Sequence, residues 1–466
     1  MALGHEIYLA VVALVAFLAS IACDKGCSPR KAMLVLSFGA VISSLLALGS
    51  HGELFEGTYR IDIFSQSFKV LISVGFFLAV ALGGKLKGVE EEYSAEYYLF
   101  LTISVLGLTF MVSAMDLLTL YIALEVSSYS LYILVPLRKD NQNHTQVESA
   151  IKYVLFGAVA SGVSLFGMSY LYGLAHTTSL ATLYKVYPAI ATEPMGLIAL
   201  AMLFGSFFFK LALFPFHLWT PDVYQGASNE TTAIVATLPK VGAVAVMIRL
   251  IAIGGGTEQF TFLLVVLAAF SMFYGNLAAL AQTDLKRLLA FSSISHAGYM
   301  MAGILSNSVS GQAAATYYVS GYLIMNLALF FVINSLSKEG GNVTLEDLRG
   351  LHKRSPLLAF TLAAGAFGLA GIPPMAGFAG KLFVLTSAFE AKQMWLVIIG
   401  ALNTAIAIYY YLKMVRAAYT PDPEAEEGEA VEISLGAKAL GVLFIAAILT
   451  VGIIPGFFIE FFKHGL

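Results

Sequence analysis

FGSFFFKLALFPF (residues 204–216) places a lysine, Lys210, and a proline, Pro215, inside one otherwise apolar run. A lysine at mid-membrane costs about 2.5–3.5 kcal/mol on an insertion scale, so charge is kept at that depth where it is used. Proline removes a helix hydrogen bond and frees carbonyls. Irregular backbone at membrane depth survives only beside a cavity or buried in protein. The same combination returns in GIPPMAGFAGKLF (371–383), where Pro373 and Pro374 interrupt the run that carries Lys381. Two proline-broken spans, each with a lysine and in corresponding places of the two halves, form the pattern of a transporter built on inverted repeats.

The rest of the chain fits a bilayer and little else. Of 466 residues, 59% are hydrophobic and only 12% charged, with a mean hydropathy of +0.82. A soluble chain carries about 25% charged residues, so a water-facing surface is out of reach. The high apolar content and aperiodic glycines exclude disorder and collagen-like repeats. The net charge of -3 offers no basic field for nucleic acid. Cys23 and Cys27 are the two cysteines, too few for an iron–sulfur cluster or a structural zinc site. They read as incidental thiols, and the chain as one without a redox centre. The first apolar stretch lacks a basic n-region and reads as a membrane helix, not a signal peptide.

At about 20 residues per crossing, the sequence divides into fourteen candidate spans. They lie near 5–22, 32–50, 64–83, 97–114, 117–137, 150–173, 195–217, 230–252, 258–281, 286–305, 312–336, 357–389, 393–417 and 434–458. The connections after odd-numbered spans hold sixteen lysines and arginines, among them Lys87, Arg138, Lys286 and Arg287. The remaining connections and the termini hold five: Arg60, Lys185, Arg249, Lys392 and Lys463. The positive-inside rule places the odd connections in the cytoplasm and both termini on the opposite side. Trp219 and Trp395 are expected as interfacial anchors.

Five lysines remain within spans. Lys69 and Lys152 lie near helix ends and are expected to snorkel. Lys210, Lys240 in VATLPKVGAVAVM (235–247) and Lys381 are flanked by apolar sequence on both sides, as is Glu125 in LYIALEVSSYSLYIL (120–134). A static pair between Glu125 and one lysine would leave two lysines without a reason. A series of titratable lysines is what a proton relay requires, because burial and a nearby carboxylate both tune an ammonium's proton affinity.

These residues bring a resemblance with them. The stretch FHLWTPDVYQGA (216–227), with Leu124-Glu125, KYVLFG (152–157), DLKRLLAFSSISHAGYM (284–300) and GIPPMAGFAGKLF, resembles the antiporter-like, proton-pumping membrane subunits of respiratory complex I. The related Mrp antiporters and membrane-bound hydrogenases share the family. The match covers nearly the whole chain, and the W-T-P-D form is that of the subunit N branch of bacterial NADH:quinone oxidoreductases. The resemblance implies an all-α polytopic membrane fold of about fourteen helices with two discontinuous helices. Its two inverted five-helix repeats would fall at 97–252 and 253–418, between N-terminal helices at 1–96 and an acidic connection with a last helix at 419–466. It also implies roles: a Glu125–Lys210 pair, Lys240 as central relay lysine and Lys381 as distal proton site, with His296 and Asn326 bridging the path through water.

The chain departs from the family pattern at Ser228-Asn229-Glu230-Thr231-Thr232, where the subunit N form has a Pro-Thr-Pro run, so Glu230 adds a carboxylate. The eleventh span lacks the His and Lys of the sister subunits. His217 reads as structural or near a mouth, and Tyr224, Tyr299 and Tyr410 as water-chain partners. By resemblance the chain carries no cofactor, while flavin, iron–sulfur clusters and quinone belong to partner subunits. The expected partners are sister antiporter-like subunits, a peripheral redox arm and the lipid bilayer, with no nucleic acid. The expected location is a bacterial or archaeal cytoplasmic membrane, or its organelle equivalent. The alternatives are a cation/proton antiporter subunit of Mrp type, a ferredoxin-, deazaflavin- or hydrogenase-linked pump, and a static membrane scaffold.

Overall fold

Capping residues and prolines decide where the helices of the computed structural model start and stop; it describes residues 3–22, 29–139, 145–254, 257–421 and 430–465. The helices in chain order are α1 (Gly4–Ala22), α2 (Arg30–Leu46), α3 (Ile63–Gly83), α4 (Ser94–Ser113), α5 (Leu117–Leu134), α6 (Thr145–Ala175) and α7 (Leu180–Ile190). The chain continues through α8 (Pro194–Leu203), α9 (Gly205–Leu211), α10 (Thr220–Gly226), α11 (Asn229–Gly254), α12 (Glu258–Leu280), α13 (Leu285–Ile304) and α14 (Val309–Leu336). It ends with α15 (Leu351–Arg354), α16 (Pro356–Ala370), α17 (Ala376–Glu390), α18 (Met394–Tyr419), α19 (Leu435–Ile453) and α20 (Pro455–Gly465). Asp62, Asp116 and Asp284 cap α3, α5 and α13 by accepting from first-turn N–H groups, which satisfies donors that a helix start otherwise leaves open.

Eleven helical segments among the described residues are long and apolar enough to cross a membrane. Their burial sorts them. In α11 the most apolar stretch is 94% buried and in α14 83%, against 28% in both α1 and α19. The first two are therefore the centre of the bundle, and the outer pair turns its apolar side chains outward. On α1, Ile7, Val11, Leu14, Leu18 and Ile21 form such an exposed stripe, the face expected of a helix against lipid. Between helices, small residues bring backbones together. A Cβ on Gly275 of α12 would lie 2.6 Å from the Phe291 carbonyl oxygen of α13.

Several local features escape the hydrophobic pattern. The connection between α2 and α3 holds an antiparallel hairpin, β1 (Gly52–Leu54) and β2 (Tyr59–Ile61). Helix α7 buries Leu180, Leu183, Tyr187 and Ile190 on one face, spacing that makes an amphipathic helix. Pro455 ends the last expected span at Ile454 and starts α20.

Three expectations are corrected. Lys69 does not snorkel: it is fully buried, with its ammonium 2.5 Å from Glu6 Oε1 of α1. Its partner lies near the start of the chain, beyond any local sequence window. Lys286 is not a solvated connection residue, because its side chain turns inward and is buried. Trp219 is buried between Tyr153 and Phe209, whereas Trp395 is 77% exposed. Lys152 keeps part of its surface and pairs with Glu148 and Asp222 at 2.6 Å each. Cys23 and Cys27 lie outside the described residues, as does most of the acidic connection at 421–432.

Candidate functional site: a buried line of charges through two broken helices

Helix α9 stops one residue after Lys210. Ala212 takes the left-handed conformation, φ 62°, its N–H bonds to Phe209 O at 3.0 Å, and the Leu213 N–H bonds to Phe208 O at 2.8 Å. This is a Schellman ending, and it leaves the Leu211 carbonyl without an intrahelical donor. Lys240 of α11, fully buried, supplies one: its Nζ donates to Leu211 O at 2.6 Å. The carbonyl end of a helix carries partial negative charge, so the ammonium sits where the backbone itself is a counter-charge.

The second break repeats the device. Helix α16 ends with Gly371 at φ 86°, the Gly371 N–H bonds to Gly368 O at 3.0 Å, and the Ile372 N–H bonds to Phe367 O at 3.0 Å. The freed Ala370 carbonyl accepts from Lys381 Nζ of α17 at 2.9 Å. Lys381 also lies 5.0 Å from the centroid of the Tyr299 ring. The two broken-span lysines are thus not placed alike, since Lys210 precedes its break and Lys381 follows its own. Lys210 donates to no described residue, and it is Lys240 that occupies the carbonyl of the first break.

Between these ends the polar groups form a series. Glu125 of α5 is buried, its Oε1 has no hydrogen-bond partner, and it acts electrostatically on Lys210 without forming an ion pair. Lys240 and Lys381 both act electrostatically on His296 of α13. The His296 ring is held at both nitrogens: Nδ1 lies 2.6 Å from Tyr318 Oη and Nε2 3.1 Å from Tyr411 Oη. Tyr411 in turn makes a short hydrogen bond with Ser292 Oγ. Two hydroxyls that donate or accept as needed suit a histidine that changes its bonding. Asn326, by contrast, donates to Tyr322 O of its own helix at 3.1 Å. Of the three tyrosines named from sequence, Tyr299 bonds Gly400 O and Thr404 Oγ1 and Tyr410 bonds Asn276. Tyr224 lies 3.2 Å from Ser293 Oγ. His217 is buried between Phe214 and Tyr274, with neither ring nitrogen bonded.

Sequence reasoning missed Tyr318, Tyr411, Ser292, Lys286 and the Glu6–Lys69 pair. Lys286 offered one signal, its place in the first turn of an apolar span. The tyrosines are lost among 23 of their kind. At the membrane-flanking edge, Arg249 donates to both Asp62 oxygens at 3.0 Å. Burial pushes the Asp62 carboxyl up, but the Arg249 guanidinium and the Ser65 N–H outweigh it and hold the carboxyl below its ordinary range. Burial pushes the Lys87 ammonium down, opposed by the Glu230 carboxylate. No group of three or more His, Cys, Asp or Glu side chains is placed to hold a metal ion among the described residues.

Known proteins share the sequence pattern and the fold. Residues 114–407 match the family described as NADH:quinone oxidoreductase/Mrp antiporter, transmembrane. The chain is 47% identical to NADH-quinone oxidoreductase subunit N 2 of Opitutus terrae, over 92% of this chain and 90% of that one. It is 46% identical to the protein of that name from Solidesulfovibrio magneticus, over 97% and 95%. Among solved structures, a chain of respiratory complex I from Thermus thermophilus with bound aureothin superposes with a TM-score of 0.84 at 32% identity, covering 98% of each chain. A chain of the Mrp complex from Dietzia sp. has the same fold, with a TM-score of 0.87 at 21% identity over 100% of this chain and 97% of that one.

Proposed function

The chain belongs to the NADH:quinone oxidoreductase/Mrp antiporter transmembrane family, and on that premise we propose that it is the subunit N-type, proton-translocating membrane subunit of a complex I-type NADH:quinone oxidoreductase. It works as part of a translocase, beside sister antiporter-like subunits, and is driven by a peripheral arm that holds the flavin, iron–sulfur clusters and quinone chemistry. The observation that carries this reading is the pair of buried lysines, Lys240 and Lys381, each bonded to the freed carbonyl of a broken helix.

The proposed cycle begins when partner subunits alter the distance between Glu125 and Lys210 and so switch the proton affinity of Lys210. Protons then pass from Lys210 to Lys240, through His296 and its tyrosine hydroxyls, to Lys381. Each lysine can give up its proton without leaving a buried charge behind. The carbonyls at Leu211 and Ala370 wait to receive the next ammonium. Hydration beside the two breaks would open one side at a time. The two inverted repeats are assigned to 97–252 and 253–418, each with its own break. Both termini are assigned to the non-cytoplasmic side; moving Lys286 from the connections to the interior leaves fifteen basic residues against five, so the bias persists.

The test uses the intact complex in sealed vesicles, with NADH oxidised against a quinone acceptor and protons counted per electron. Lys381→Ala is expected to lower that ratio while uncoupled redox turnover persists. A wild-type ratio in Lys381→Ala would overturn the relay. Replacing sodium in the medium tests the driven ion: a pump that stops without sodium would belong to the cation/proton antiporter type instead.

A further inference from the structure

Glu230, the carboxylate that stands where the subunit N form has a Pro-Thr-Pro run, begins α11 and is 1% exposed. Its Oε1 receives a long hydrogen bond from the Gly88 N–H, 3.4 Å, and its own backbone N–H and the Ser228 hydroxyl also face the carboxylate. Its Oε2 has no partner. The Gly88 backbone is pressed so close that a Cβ there would lie 2.9 Å from Oε2. Cations surround the carboxylate, yet each is committed elsewhere. Lys286 Nζ donates to Ala227 O at 2.7 Å. Arg138 donates to the carbonyls of Gln225 and Gly226, at 2.8 and 3.1 Å. Lys87 donates to the carbonyls of Asn334 and Ser337, at 3.2 and 3.0 Å. Asp284, Tyr97 and Tyr98 lie among the same charges, and Arg30, Lys85 and Glu432 line the adjoining cavity. A buried carboxylate inside a positive field but bonded to none of its cations is held in place with an oxygen left open, which is what a group that takes up and releases a proton needs.

A cavity of about 440 Å³, lined by Arg30, Gly83, Lys85, Lys87, Asn334 and Glu432 among others, adjoins it; Gly83 is the wall between the two, since a Cβ there would lie 3.8 Å from Glu230 Cγ. Inward lies a separate set of hydroxyls. Thr232 Oγ1 donates to the Tyr224 backbone carbonyl at 3.0 Å, tying the first turn of α11 to α10, and the Tyr224 hydroxyl lies 3.2 Å from Ser293 Oγ. Ser293 also interacts with Tyr322, whose ring is 5.4 Å from that of His296. Lys240 lies ten residues beyond Glu230 on the same helix.

We propose that Glu230 is the proton-loading site of this subunit on the face bearing the basic connections: water entering from the adjoining cavity past Gly83 protonates its unpartnered oxygen, and further water carries the proton by the Tyr224–Ser293–Tyr322 hydroxyls to the His296 and Lys240 region. This rests on the relay reading and supplies its intake. In the intact complex in vesicles, Glu230→Gln keeps the shape but binds no proton. It is expected to remove the same share of protons per electron as Lys381→Ala, with Glu230→Asp keeping more than half of that share. Dicyclohexylcarbodiimide, which modifies protonated buried carboxyls, should label the Glu230 peptide of the wild type, and less so as pH rises. If Glu230→Gln pumps at the wild-type ratio while Lys381→Ala does not, the loading role is overturned and the relay stands. If Lys381→Ala is also unchanged, the relay itself has failed. Should Glu230→Gln not assemble, the label decides on the wild type: an unlabelled Glu230, with Glu125 labelled as an internal control, overturns the proposal.

Discussion

Lys240→Met separates a charge kept for transport from a charge kept for folding. Methionine fills a similar volume without a proton site. The substitution deletes one charge-assisted hydrogen bond, the 2.6 Å contact with Leu211 O, worth about 1.5–3 kcal/mol. It also removes an ammonium from mid-membrane, where its presence costs about 2.5–3.5 kcal/mol. The two effects nearly cancel, so the net change in stability should lie within roughly 1–2 kcal/mol of zero. The expected signature is therefore a complex that assembles and melts close to wild type but translocates fewer protons per electron. Size-exclusion profiles and thermal melts of the purified complex read the first part, and pH-dye quenching in vesicles the second. Wild-type coupling would refute the relay role. Loss of assembly with intact coupling in the surviving fraction would show that the lysine is there to hold α9 and α11 together.

Further expectations follow from other contacts. Lys69→Met leaves Glu6 buried without a counter-charge, with the Tyr59 hydroxyl still donating to it at 2.7 Å, and should cost about 3–5 kcal/mol, read in a thermal melt; adding Glu6→Gln should recover most of it, and failure to recover would mean the pair is not the stabilising unit. Asp62→Asn should destabilise at neutral pH. The Asp62 carboxyl is depressed in the fold, so its contribution is present above the ordinary value of about 3.9 and fades as pH falls through the depressed one. The wild-type and variant melts should then differ by a constant amount from pH 6 to 8 and converge below about pH 4; a gap that widens in acid would contradict the ion pair. Tyr411→Phe strips His296 Nε2 of its partner and should slow translocation without altering redox turnover, whereas an unchanged rate would remove Tyr411 from the path.

What sequence could show was set by how locally each feature is written. The breaks at Pro215 and Pro373-Pro374 were legible, because proline and the apolar run lie side by side, and both runs do divide into separate helices. Lys210, Lys240, Lys381 and Glu125 were legible by contrast with their surroundings, and all four are buried. Their acceptors were not. Leu211 and Ala370 contribute backbone oxygens, which no residue type announces. The Glu6–Lys69 pair joins positions 63 residues apart, beyond any helical period. Lys286 is buried in the first turn of α13, a place that in sequence looks like the end of a connection. Trp219 near a break resembles an interfacial tryptophan in sequence, and the residues that enclose it, Tyr153 and Phe209, lie on other helices, α6 and α9.

The ammonium acceptors at the two breaks have a consequence for how this protein can vary and be probed. Side chains at 211 and 370 can change over generations without touching the oxygen that each lysine needs, so drift there is silent to the site. For the same reason a substitution scan through both positions would find packing effects and miss the chemistry. From the acceptor side, only editing the main chain exposes it. An ester in place of the amide between residues 211 and 212 weakens the Leu211 carbonyl as an acceptor and removes the Ala212 N–H that bonds Phe209 O, while sparing every side chain. It should loosen the hold on Lys240 in a protein whose encoded residues are all wild type.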